Sequence, residues 1–101
     1  MEISVVSANG IAVIRLKGRF DFNTHRNFRA GIETALQEPH TRKVEVDLGG
    51  VDYLDSSALG MLLILRDKAQ ATNKAVELTN VRNSVAQVLE IANFKNMFAI
   101  S

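Results

Sequence analysis

The chain has 101 residues, 47% of them hydrophobic and 23% charged, with a formal net charge of +1 and no cysteine. That suits one packed domain over residues 1–101 and leaves little room for a second. Disulfides, thiolate catalysis and cysteine zinc sites are excluded, and so small a charge gives no reason to expect nucleic acid or an anionic membrane surface.

The opening MEISVVSANG has no basic segment followed by an apolar core, as a signal peptide would. The longest apolar run, Met61 to Leu65, is far too short to span a bilayer. A cytoplasmic protein with no membrane insertion is expected.

Residues Ile3 to Val6 and Ile11 to Lys17 read as two strands. Asn9-Gly10 between them tolerates positive φ and favours a tight hairpin. Ala12, Ile14 and Leu16 share one face of the second strand, which Gly18 is expected to end. A helix follows over Asn23 to Gln37, because Phe28, Ile32, Ala35 and Leu36 fall on one stripe. Asn23 or Thr24 can cap it, and Pro39 stops it. Lys43 to Leu48 alternates strictly, with Val44, Val46 and Leu48 on one side and Lys43, Glu45 and Asp47 on the other. A strand buried on both faces would be apolar throughout. The sheet is therefore expected to carry helices on one face and meet water on the other.

The next helix runs from Ser57 to Ala71, then a strand over Ala75 to Thr79. A third helix over Val81 to Ala92 precedes a short strand over Met97 to Ile100. The order is β-β-α-β-α-β-α-β, an α/β class with a mixed sheet.

The helix after Asp55 is apolar around most of its circumference, through Ala58, Leu59, Met61, Leu62, Leu63, Ile64 and Leu65. A helix on one face of a sheet needs only a stripe. Either neighbouring helices bury the excess, or part of Met61, Leu62 and Leu65 reaches the surface as a contact patch. At its start, Ser56 is well placed as N-cap and Ser57 as the first helical residue. Capping alone explains an isolated serine pair. A phosphate would also be accommodated there, since free N–H groups and the helix dipole accept negative charge.

Readings as an enzyme have little support. LDSSALG is not a GxSxG elbow. His25, Asp21 and a serine could be drawn as a triad, but a solvent-exposed histidine at a helix start explains His25 as well. Two histidines without a compact carboxylate cluster make a poor metal site. No phosphate-binding glycine loop is present. No catalytic activity, metal or cofactor is expected.

The stretch Val46 to Leu63, VDLGGVDYLDSSALGMLL, resembles the STAS-domain anti-sigma factor antagonists, small bacterial proteins controlled by serine phosphorylation. The family motif, Asp-Ser-Ser or Asp-Ser-Thr before a small residue, an apolar residue and Gly, stands here as Asp55-Ser56-Ser57-Ala58-Leu59-Gly60. GRFDFNTH, Gly18 to His25, and LEIANFKNMF, Leu89 to Phe98, match in the same order. Many members have Gly where this chain has Ala58. The chain is most similar to the proteobacterial type that relays phosphorylation into motility and biofilm decisions.

The resemblance implies a mixed sheet with helices on one side and a phosphoacceptor at Ser56. A serine kinase, often itself an anti-sigma factor, would add the phosphate, and a PP2C-type phosphatase would remove it. The unphosphorylated form would bind an anti-sigma factor or similar regulator. Asp21 matches the family Asp beside the acceptor. The expected partner surface gathers Asp21 and Asn23 with Asp55, Ser57, Ala58, Met61 and Leu62. The resemblance also allows a STAS subunit of a lipid-transport or other membrane-associated assembly, which binds without the switch.

Overall fold

Strict alternation from Lys43 to Leu48 sets the architecture: one face of the third strand is apolar and the other charged, and Ala12, Ile14 and Leu16 give the second strand a matching apolar face. The computed structural model describes residues 1–101. Strands β1 (Glu2–Ala8) and β2 (Ile11–Phe20) lead through a short turn, Phe22–Thr24, to helix α1 (His25–Gln37). Then come β3 (Lys43–Leu54), α2 (Ser56–Ala71), β4 (Ala75–Thr79), α3 (Asn83–Ile91) and β5 (Ala99–Ile100). The strands form one sheet in the order β1-β2-β3-β4-β5. The β1–β2 pair is antiparallel and the other three pairs are parallel. This is the expected mixed α/β architecture.

Ala12, Ile14, Leu16, Val44, Val46, Leu48 and Leu78 point into one core, which they share with Phe28 and Ile32 of α1, Leu62 and Leu65 of α2, and Val85 and Leu89 of α3. The opposite face carries ion pairs. Lys43 Nζ lies 2.6 Å from Glu77 and 3.4 Å from Glu45, and Arg15 lies 3.2 Å from Asp47. Asp47 also accepts from the Gly49 N–H at 2.9 Å and from Asn80 at 3.0 Å. Partial burial works against its ionisation, but these donors outweigh it and hold the carboxyl below its ordinary range.

Two expectations are corrected at the C-terminal end of the sheet. Gly18 does not end β2, and β3 does not stop at Leu48. The pairing runs on to Phe20 and Leu54, with register shifts between Arg15 and Lys17 and between Gly18 and Arg19. β3 takes twelve residues against ten in β2, so each shift places an extra residue in β3, as a bulge does. Gly18, at φ +108°, adopts a conformation open to glycine. Gly50 is required because a Cβ there would come within 2.9 Å of the Leu16 carbonyl oxygen. Gly50 therefore marks a close approach of β3 to β2.

The apolar cylinder of α2 is resolved toward burial. Met61 is 4% exposed, and Leu62 and Leu65 are fully buried. Ala58 is buried as well. Met61 packs beside Phe28 and Ile32 of α1, so the flanking helix covers what the sheet does not. Met61, Leu62 and Ala58 thus cannot present side chains to a partner on this surface.

Leu62→Asp should unfold the domain rather than weaken a contact, since an unpaired carboxylate would sit in a dry core. A loss of about 3–5 kcal/mol is expected in urea denaturation. The ion pairs set a second expectation. The hydrogen bond from Lys43, with help from Ser101, holds the Glu77 carboxyl below its ordinary 4.5. A depressed folded-state pKa contributes stability above the unfolded value and loses it as pH falls through the folded one. The urea midpoint should therefore drop on acidification below about pH 4.5, less steeply in Glu77→Gln than in the native chain.

Candidate functional site

The site forms where β2 runs into α1 and β3 into α2. β2 and β3 leave the sheet side by side, with Phe20 opposite Leu54. The Phe20 ring packs at 4.8 Å on Phe28 of α1. That fixes where the Asp21–Thr24 turn lies. Asp21 caps this turn, its carboxylate accepting the Asn23 N–H at 3.0 Å. Thr24 donates its hydroxyl to the Asp21 carbonyl at 2.7 Å. Asp21 thus caps the single 3-10 turn that precedes α1, while Thr24 stands at the N-cap position of α1 itself, one of the two residues expected there, without a side-chain capping hydrogen bond.

Asp55, not Ser56, caps α2. Its Oδ1 accepts the Ala58 N–H at 3.0 Å. A carboxylate is a stronger acceptor than a hydroxyl and is favoured at the positive end of the dipole. Its other oxygen accepts the Phe22 N–H at 3.3 Å, and the Asp55 N–H donates to the Phe20 carbonyl at 3.3 Å. One residue thus fastens the start of α2 to the turn that carries Asp21, Phe22 and Asn23.

Ser56 becomes the first residue of the helix and is exposed. Ser57 is half-buried, and its hydroxyl is not among the side chains that bond the backbone. With Asp55 engaged on Ala58, the N–H groups of Ser56 and Ser57 remain without intrahelical acceptors. An added phosphoryl group would find two donors and a favourable dipole there.

The structure brings Asp21, Asn23, Asp55, Ser56 and Ser57 to one corner. It leaves Ala58, Met61 and Leu62 beneath it. The apolar groups at the surface are others. Phe22 is 72% exposed, Tyr53 42% and Ile64 41%. The Arg19 guanidinium sits over the Tyr53 ring, 4.1 Å from its centroid, and reaches Asp21 at 3.5 Å. Phe22 could have been found in the sequence as a lone aromatic between two polar residues, Asp21 and Asn23. Tyr53 could not, because the strand is expected from its alternation to stop at Leu48, short of it; the first bulge turns Val51 inward and the second returns Tyr53 to the open face. His25 is exposed and makes no hydrogen bond to Asp21 or Ser56; it borders a small depression with Phe28 and Ile64.

The family model described as Mlab, STAS domain, matches residues 4–99. A STAS-domain containing protein of Pseudomonas aeruginosa is 47% identical over 88 residues, 87% of this chain and 85% of that protein. An anti-sigma F factor antagonist of Paenibacillus polymyxa is 27% identical over 63 residues, 62% of this chain and 54% of that protein. Among solved structures, the anti-sigma factor antagonist SpoIIAA in its unphosphorylated form superposes with a TM-score of 0.76 at 21% identity, covering 99% of this chain and 87% of that one. The Bacillus SpoIIAA in its phosphorylated form gives 0.74 at 20%, covering 99% and 91%. With a family model spanning nearly the whole sequence and a relative of nearly half its residues identical, the chain belongs to the STAS-domain family.

Proposed function

We propose that this protein is a cytoplasmic, phosphorylation-switched binding protein whose unphosphorylated form sequesters an anti-sigma factor or a similar regulator. Ser56 is the acceptor. The observation that carries the reading is its placement: an exposed hydroxyl on the first turn of α2, beside a turn held rigid by Asp55 and Asp21. A serine kinase would reach Ser56 ahead of the half-buried Ser57, and a PP2C-type phosphatase would reset it. The structural likeness to SpoIIAA in both phosphorylation states agrees with such a switch. The protein acts here by binding, not by catalysis.

The chemistry of the switch is electrostatic. A phosphoserine adds about two negative charges and three acceptor oxygens. The free N–H groups of Ser56 and Ser57 accept that charge, so the fold stays as it is. A partner docking over Phe22 and Tyr53 would have to desolvate the added charge next to Asp21 and Asp55, which weakens binding. The apolar part of the contact falls to Phe22, Tyr53 and Ile64, since Met61 and Leu62 are buried.

Incubation with the cognate kinase and phosphopeptide mapping should place the phosphate on Ser56. Ser56→Ala should bind the partner constitutively, and Ser56→Asp should bind at least about tenfold more weakly. Phosphate on Ser57 alone would overturn the assignment. Equal partner affinity for Ser56→Asp and the native chain would point to the non-switching STAS subunit instead. Phe22→Ala should cost about 1–3 kcal/mol of partner affinity in calorimetry, with the thermal midpoint of the free protein unchanged.

A further inference from the structure

The two edges of the sheet are built differently. β5 is two residues long, and a very short edge strand is one device that keeps sheets from pairing with other chains. β1 has seven residues, EISVVSA. It carries no proline, no lysine and no irregularity in its register with β2, so it lacks the usual protections. Its one charge is Glu2 at the strand start.

The hairpin geometry fixes what this edge offers. Asn9 and Gly10 both have positive φ, 56° and 82°, and Ala8 pairs with Ile11 across the turn. In a two-residue hairpin the closing pair exchanges its hydrogen bonds inward. Ala8, Val6, Ser4 and Glu2 therefore bond to β2. Ser7, Val5 and Ile3 turn their N–H and C=O groups away from the sheet. The side chains of Ile3 and Val5 lie on the helix side, where a Cβ on Gly31 of α1 would be 3.5 and 3.8 Å from them. A groove of about 420 Å³ runs there between β1 and α1, bordered by Ile3, Val5, Ala30, Gly31 and Thr34. On the other face Val6 is 59% exposed.

We propose that β1 is a self-association edge on which a second copy of this chain pairs its own β1 antiparallel, about a two-fold axis at Val5. The strand is complementary to itself in that register. Val5 meets Val5 of the second copy, and Ile3 meets its Ser7, in both directions. All three residues that face outward then find partners, giving about six backbone hydrogen bonds. Glu2 stands across from Ala8 of the second copy, so no like charges meet. Val6 stands across from Ser4 on the open face. Ile3 and Val5 of each copy extend over the groove beside α1, and one ten-stranded sheet results. A second copy is the occupant because this register leaves none of the outward groups unpaired and opposes no charge. The pairing is independent of Ser56, which lies beyond β3 on the far side of β2.

Sedimentation equilibrium of the full chain from about 1 µM to about 1 mM tests the proposal, because symmetric pairing is governed by mass action. The mass should rise with concentration from 11.1 kDa toward twice that value. Val5→Pro removes an N–H that faces away from β2, a position where an edge strand tolerates proline. It should stay at the monomer mass throughout with an unchanged circular dichroism spectrum. In the native chain, amide exchange at Ile3, Val5 and Ser7 should slow as concentration rises. A native chain that remains monomeric over the whole range overturns the proposal, as does a folded Val5→Pro variant that dimerises equally well. Should that variant fail to fold, exchange at the three amides that is independent of concentration in the native chain overturns it.

Discussion

The Asp55 carboxylate joins two turns that belong to different crossovers. One oxygen takes the Ala58 N–H and starts α2; the other takes the Phe22 N–H and holds the Asp21 turn against it. Both contacts satisfy backbone donors that a helix start or a tight turn would otherwise leave to water. The corner around Ser56 is therefore rigid without being packed. Its polar groups stay near the surface, while the core below is sealed by Ala58, Leu62 and Phe20. Rigidity matters for a contact surface because less conformational freedom is lost on binding.

That division of labour along α2 explains its composition. The helix is apolar on nearly every side because it packs against both the sheet and its neighbour α1, with α3 in the same core. Of its large apolar residues, Ile64 is the one left substantially exposed. A mutation in this helix that abolishes partner binding reads differently once this is known. At Leu62 it reports on folding, at Ile64 on the surface.

Much of the architecture was legible in the sequence because it rests on local periodicity. Val44, Val46 and Leu48 alternate with charges, Phe28, Ile32 and Ala35 mark a helical stripe, and Asn9-Gly10 marks a hairpin; each holds in the structure. What was not legible depends on neighbours distant in sequence. Asp55 and Ser56 are both good caps, and the choice follows from β3 continuing to Leu54, which its pairing with β2 dictates. The strand reads as stopping at Leu48 until the Leu16 carbonyl is seen against Gly50. Whether Met61 is covered depends on where α1 lies, and no periodicity within α2 records that.

The hairpin differs from every other pairing in the sheet in one further respect. Its strands are closed by a two-residue turn, whereas β2 reaches β3, β3 reaches β4 and β4 reaches β5 only through a helical crossover. The entropy of closing a chain segment grows with its length, and long-range pairings are the slow ones. The β1–β2 ribbon is thus the one pairing of the sheet whose connection spans no helix. Its closure therefore costs the least chain entropy of the four pairings. During synthesis it is also the first pairing for which both strands have emerged.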